Sequence, residues 1–178
     1  MDIKTLNTET TVRQEKIERV KNSRHQGIIV LEDIHDPHNA AAVWRSADCF
    51  GFGKIYLIFD QEKEFNPKKV GKASSSSANK WLDFEIFKST KDCYKKLKND
   101  GYKIYATILD KEAKDLSLSD FRCQKKIAIV LGNEHRGISE FAAKNADEKI
   151  YIPMLGMVQS LNLSVTAGIM MWEYRRQN

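Results

Sequence analysis

Apolar runs of strand length alternate with mixed polar segments of helical length along most of the chain. Residues 28–31, 54–59, 84–87, 102–109 and 126–131 are apolar or alternating runs that predict strands. Between them, residues 39 to about 50 predict a helix that Gly51 and Gly53 close, with Asn39 as its N-cap. Ser89 to Asp92 opens a second helix that ends before Gly101, and residues 139–145 predict a third. Strand, helix and strand in that order make a βαβ unit, so the pattern predicts an α/β fold with a parallel sheet and right-handed crossovers. Residues 1–11 read as a frayed polar start. Thr11 and Gln14 have capping-box spacing, which predicts a helix from 12 to about 24 anchored by Ile17 and Val20. Residues 110–125 read as a surface connection. Residues 60–80 read as a polar excursion, with Gly71 to Ser77 as a mobile loop.

One stretch breaks the alternation. Ile150, Tyr151 and Ile152 are β-formers, and Pro153 then ends the ladder because it has no N–H to give. Gly156 permits a turn, Ser160 can cap a following helix, and that helix runs from about 161 to 176. No charged residue occurs between Ile150 and Trp172. An uncharged loop with Pro and Gly between a strand and an apolar helix predicts a buried loop, whose backbone groups can serve a polar ligand. A membrane span is the competing reading, and Pro153, Gln159, Ser160, Asn162 and Ser164 oppose it.

Composition narrows the class. With 42% hydrophobic and 30% charged residues, the chain is globular rather than disordered. Its net charge of +5 tilts the expected partner toward a polyanion such as RNA. Arg13, Lys16, Arg19 and Arg24 concentrate cations on the N-terminal helix, which makes it a candidate RNA-binding element. Cys49, Cys93 and Cys123 are odd in number and form no CxxC pair, which points to a reducing, cytoplasmic setting. No signal peptide is visible at the N-terminus.

Several chemistries fail on the residues. Gly132 to Ser139 nearly has P-loop spacing, but Ile138 stands where the phosphate-binding lysine belongs. Gly51 and Gly53 follow a helix and lack a third glycine at Tyr56, so a dinucleotide fingerprint is absent. No GxSxG elbow exists. His35 and His38 with Asp33 and Asp36 lack further clustered ligands, so no metal is expected. Three pairs remain: Asn39 with Arg45, Gly132 with Glu134, and Ser160 with Asn162. Each follows the C-terminal end of a predicted strand, where open α/β sheets bind ligands.

These segments resemble the three motifs of the SPOUT superfamily, in particular the TrmH-type RNA ribose 2′-O-methyltransferases. Asn39 and Arg45, within residues 37–47, stand at the Asn and Arg of the first motif. Leu131, Gly132, Glu134, Gly137 and Ser139 match the second. Residues 152–164, with Glu173, Arg175 and Gln177, match the third over its length. The similarity covers roughly residues 13–177. It implies a single-domain parallel-sheet fold with a C-terminal trefoil knot, although ordinary connection rules argue against knots. Residues 1–25 would be a basic helical extension and residues 26–178 the methyltransferase domain.

The resemblance also implies S-adenosylmethionine as cofactor, a homodimer with sites at the subunit interface, and tRNA as substrate. The target would be the D-loop guanosine at tRNA position 18. Arg45 would be the essential catalytic residue. Asn39 and Asn162 would orient ribose or Arg45, while Ser160 and Glu134 would hold the knot loops. Thr107, Leu131, Gly132, Ile152, Met154 and Leu161 would contact the cofactor, mainly through main chain. The family's tRNA enzymes carry helices on both flanks. Here the sequence ends at Asn178, so weaker tRNA binding with a shallow salt dependence is expected. The alternatives are a ribosomal RNA ribose methyltransferase, a non-catalytic RNA-binding protein and a small-molecule binding module.

Overall fold

The structure is a computed structural model that describes residues 3–70, 78–122 and 124–178, with side chains from residue 11 onward. The expected loop at 71–77 and Cys123 lie outside the described residues. The elements run α1 (Ile3–Asn22), β1 (His25–Glu32), α2 (Pro37–Cys49), β2 (Phe52–Ile58), β3 (Asp83–Phe87), α3 (Thr90–Asn99), β4 (Lys103–Thr107), β5 (Lys114–Asp115), β6 (Ile127–Leu131), α4 (Glu140–Asn145), β7 (Glu148–Tyr151) and α5 (Leu163–Gln177). All strand pairs are parallel, in the order β3-β2-β1-β6-β4-β7-β5.

Both faces of the sheet are covered, which is why its central strands read as unbroken apolar runs. Side chains alternate across the sheet. Ile29 and Leu31 enter a core with Trp44, Tyr105, Phe121, Met170 and Tyr174. Ile28 and Val30 enter a second core with Tyr94, Leu97, Ile104 and Ala142. Helices α2 and α5 pack on each other over the first face, and α3 and α4 over the second.

Local expectations shift in four places. Helix α1 starts at Ile3, so Thr11 lies inside the helix and does not cap it. Its anchors are weak: Val20 is exposed and only Ile17 is partly buried. Asp36 caps α2 by accepting from His38 N–H at 2.8 Å, with Pro37 opening the helix, which leaves the Asn39 side chain free. Asn162 caps α5 in place of Ser160, accepting from Ser164 N–H at 2.8 Å. Residues 110–125 are not all surface, since Leu116 and fully buried Phe121 close one end of the core.

Candidate active site

The sheet order puts the carboxyl ends of β6, β4 and β7 side by side, with β1 next to β6. The loops that follow β1, β6 and β7 therefore meet at one edge. The loops after β4, β6 and β7 line a cavity of about 380 Å³ there. All six expected cofactor positions border it: Thr107, Leu131, Gly132, Ile152, Met154 and Leu161. Glu134 and Ser160 border it as well.

The loop after β6 is built around a residue that can have no side chain. A Cβ on Gly132 would lie 2.2 Å from both Gly137 C and Ile138 N, well inside van der Waals contact. That close approach lets Asn133 and Gly137 exchange backbone hydrogen bonds of 3.0 and 2.9 Å. Gly137 takes φ +70°, which glycine adopts freely. Buried Asn133 finishes the turn. Its Oδ1 accepts from His135 and Arg136 N–H at 2.9 and 3.0 Å, and its Nδ2 donates to the Asp33 carbonyl at 2.7 Å.

Glu134 ties this loop to the other two. It accepts from His35 N–H at 2.9 Å, from Asp36 N–H at 3.2 Å and from Asn39 Nδ2 at 2.9 Å. Asn162 Nδ2 then donates to Asn39 Oδ1 at 3.0 Å, and Asn162 Oδ1 accepts from the Ser164 N–H and hydroxyl. The direction of the chain is fixed by its first member: a carboxylate only accepts, so Asn39 must turn its NH₂ toward Glu134 and its carbonyl toward Asn162. Burial opposes ionisation of Glu134, but the donors from Asn39, His35 and Asp36 outweigh it and hold its pKa below the ordinary carboxylate value.

The other expected site residues stand apart. Ser160 is exposed and makes no hydrogen bond among the described residues. Arg45 is exposed on α2, does not line the cavity, and has no hydrogen bond or ion pair among the described residues. The segment after β7 is also not the buried loop its sequence predicts. Leu155 and Met157 are fully exposed and Val158 is 66% exposed. Val165 and Trp172 of α5 are exposed too. Arg24, expected to face RNA, is largely covered: it pairs with Asp48 at 2.9 Å and donates to the Trp81 carbonyl at 2.6 Å. Arg13, Lys16 and Arg19 are exposed.

Two acids have a loop-fixing role that the sequence reading did not give them. Glu32, 2% exposed at the end of β1, accepts from the Ser139 N–H and hydroxyl at 2.8 and 2.7 Å and from the Thr90 hydroxyl. Asp33 takes φ +51°, and its Oδ1 accepts from Asp60, Gln61 and Glu62 N–H. Two adjacent carboxylates at the end of an apolar run were the available signal, because buried charge needs such donors. Among the described residues, no group of three or more His, Cys, Asp or Glu could hold a metal ion. No helix among them is long and apolar enough to cross a membrane.

Residues 26–172 match the SpoU rRNA Methylase family. The chain belongs to that family. Among its relatives is the tRNA (guanosine(18)-2′-O)-methyltransferase of Thermus thermophilus, 34% identical over 172 residues, or 94% of this chain and 84% of the relative. The enzyme of that name from Escherichia coli is 32% identical over 84% of this chain and 62% of its own length. The fold of this SpoU family member matches the Aquifex aeolicus TrmH/SpoU tRNA modifying enzyme with a TM-score of 0.81 at 31% identity, covering 93% of this chain and 84% of that one. It also matches an AdoMet-bound rRNA methyltransferase from Sinorhizobium meliloti, with a TM-score of 0.76 at 25% identity over 88% of this chain and 59% of that one. In this SpoU family member, the Glu134–Asn39–Asn162 chain joins the three sequence motifs at one edge of the sheet.

Proposed function

We propose that this protein methylates a ribose 2′-hydroxyl of tRNA, at the D-loop guanosine in position 18, with S-adenosylmethionine as methyl donor. The observation that carries the reading is one cavity bordered by all six expected cofactor positions and by Glu134, which the hydrogen-bond chain links to Asn39 and Asn162. The names of the Thermus and Aquifex relatives support tRNA over ribosomal RNA. The residues suit the cofactor. A cavity of about 380 Å³ falls in the range typical of small-molecule sites, roughly 300–1,000 Å³. Its lining offers apolar side chains and main chain, and the missing Cβ of Gly132 lets the loop that borders it close against Gly137 and Ile138. When bound, S-adenosylmethionine supplies an electrophilic methyl group on a sulfonium sulfur.

The protein's share of the chemistry is positioning and electrostatics. Thr107, Leu131, Gly132, Ile152, Met154 and Leu161 would hold the donor, through main chain and apolar contact. Glu134 fixes Asn39, which fixes Asn162, so that two amides orient the ribose. Arg45 stabilises alkoxide character at the 2′-oxygen as its proton passes to solvent water, and its guanidinium fork grips an RNA phosphate. Ser160 borders the cavity beside the loop after β7. That loop and the one after β6 form a trefoil knot in this reading. Residues 26–178 are the methyltransferase domain, and residues 1–25 the helical extension that contributes Arg13, Lys16 and Arg19 to tRNA binding.

The active unit is a homodimer with the site at the subunit interface, working in the cytoplasm. Leu155, Met157 and Val158 of the loop after β7 and Val165 and Trp172 of α5 are exposed apolar residues of the kind an obligate interface covers. In this reading the second subunit completes the site around Arg45, which is unpartnered among the described residues. The test maps methyl groups on tRNA and ribosomal RNA transcripts incubated with labelled S-adenosylmethionine in chelator. Label in the tRNA D-loop is expected. Label confined to ribosomal RNA would overturn the substrate assignment.

A further inference from the structure

The opposite edge of the sheet carries a second concavity, larger than the first. It measures about 810 Å³ and lies at the amino ends of the strands, bordered by His25 and Gln26 of β1, Lys54 of β2, Asp83 of β3 and Lys126 before β6. The cofactor cavity begins at Leu131, the far end of β6, so one strand length of roughly 13 Å separates the two. Nothing in the methyl-transfer site uses this cleft.

Its charge is lopsided. Lys21 from the last turn of α1, Lys54, Lys80 and Lys126 come from four separate segments and converge here. Lys21, Lys54 and Lys80 make no side-chain hydrogen bond or ion pair among the described residues. The Lys126 ammonium donates only to the Asp100 carbonyl and sits 5.8 Å from the Tyr102 ring centre. Of the two carboxylates bordering the cleft, Asp100 is engaged by Lys96 at 3.2 Å. Five lysines elsewhere have carboxylate partners: Lys88, Lys96, Lys103, Lys144 and Lys149. His25 adds no charge at neutral pH, because burial, helped by the Arg175 charge, lowers its pKa.

The cleft is also braced. Arg24, from its wall, is held by Asp48 and by the Trp81 carbonyl, so the α1–β1 junction and the turn bearing Lys80 and Trp81 keep a fixed separation. Trp81 and Tyr102 give the cleft aromatic surface, and Trp81 is 36% exposed. Unpaired cations interleaved with aromatic rings in a groove are the features that hold a nucleic-acid backbone and its bases. Lys21 lies on the same helix as the exposed Arg13, Lys16 and Arg19.

We propose that this cleft is a second RNA-binding site, which takes the phosphate backbone of a part of the tRNA remote from the methylated ribose. It rests on the assignment of tRNA as substrate. The cleft contributes affinity for RNA without sequence readout, and it does not contribute to the methyl-transfer step.

The experiment compares the full-length wild type with the Lys21→Glu, Lys54→Glu, Lys80→Glu triple variant, and with the matching Gln variant in case reversal disturbs folding. Filter binding measures the tRNA Kd against salt, calorimetry measures S-adenosylmethionine binding, and steady-state assays give kcat and KM for tRNA. Loss of three phosphate contacts should reduce the slope of log Kd against log salt by about 3. The tRNA Kd and KM should rise at least tenfold in low salt, while kcat and cofactor affinity stay at wild-type values. The Gln variant should give a smaller change of the same kind. A wild-type Kd and salt slope in both variants would overturn the cleft and leave the methyltransferase assignment standing. Wild-type protein that binds tRNA through these lysines but methylates none would instead overturn the assigned reaction and keep the cleft.

Discussion

Two loops border the candidate cofactor cavity, and they are built in opposite ways. The loop after β6 is closed on itself. Gly132 and Gly137 let its ends touch, Asn133 caps its amides, and Glu134 reaches back to Asn39 and the β1–α2 turn. The segment after β7, residues 153–161, shows no hydrogen bond among the described residues and turns Leu155 and Met157 wholly outward. One loop carries its own support and the other lacks it. A loop of backbone groups and apolar side chains with no internal support is stable when another surface covers it. The contrast fits a first loop that belongs to the fold and a second that is covered in the proposed dimer.

That assignment is open to attack from the second loop first. Leu155→Asp with Met157→Asp should split the dimer, moving the sedimenting mass from about twice 20.5 kDa toward 20.5 kDa. Interface anchors are worth ~2 kcal/mol or more each, so the dimer dissociation constant should rise by roughly 10³-fold, and activity should fall with it. Active monomers would refute the division of labour between the loops. Next in size, Arg45→Ala should lower kcat by roughly 10²–10³-fold, the scale of losing one transition-state donor, with dimer and cofactor binding intact. Arg45→Lys should fail as well, because an ammonium lacks the planar fork. Turnover near normal in either variant would remove Arg45 from the chemistry.

The first loop gives smaller, sharper tests. Gly132→Ala forces a Cβ into Gly137 and Ile138, and overpacking of this kind costs ~1–3 kcal/mol. Calorimetry should show cofactor affinity down by about tenfold, while the dimer persists. The smallest effect is on pH. The folded pKa of Glu134 is held below its ordinary 4.5, so its contribution to stability is complete above pH 4.5. It is lost as pH falls through the lower, folded value. Acid melts of Glu134→Gln should lack that part of the acid sensitivity, and an unchanged pH profile would mean that Glu134 is not the tie between the loops.

How far the sequence disclosed this depended on which forces were local. Buried parallel strands must be apolar on both faces, so β1, β2 and β6 stood out as runs, and their ends located the site loops. The capping assignments went astray because tertiary demand overrode local preference. Asn39 and Ser160 have good capping chemistry, yet Asn39 is drawn to Glu134, which leaves the α2 cap to Asp36, and Asn162 caps α5. The segment at 153–161 misled for a deeper reason. An uncharged interface and an uncharged core are written with the same residues, and only coordinates tell them apart. Phe121 was hidden likewise, a single core residue within a polar connection.

The most direct test of the proposed reaction changes one atom of the substrate. Two tRNA transcripts are prepared, identical except that one carries 2′-deoxyguanosine at position 18, and each is incubated with the protein and methyl-labelled S-adenosylmethionine. The ordinary transcript should accept one methyl group, recovered as 2′-O-methylguanosine, and the deoxy transcript none. Equal labelling of both, or label recovered on a base, would contradict ribose methylation at that nucleotide.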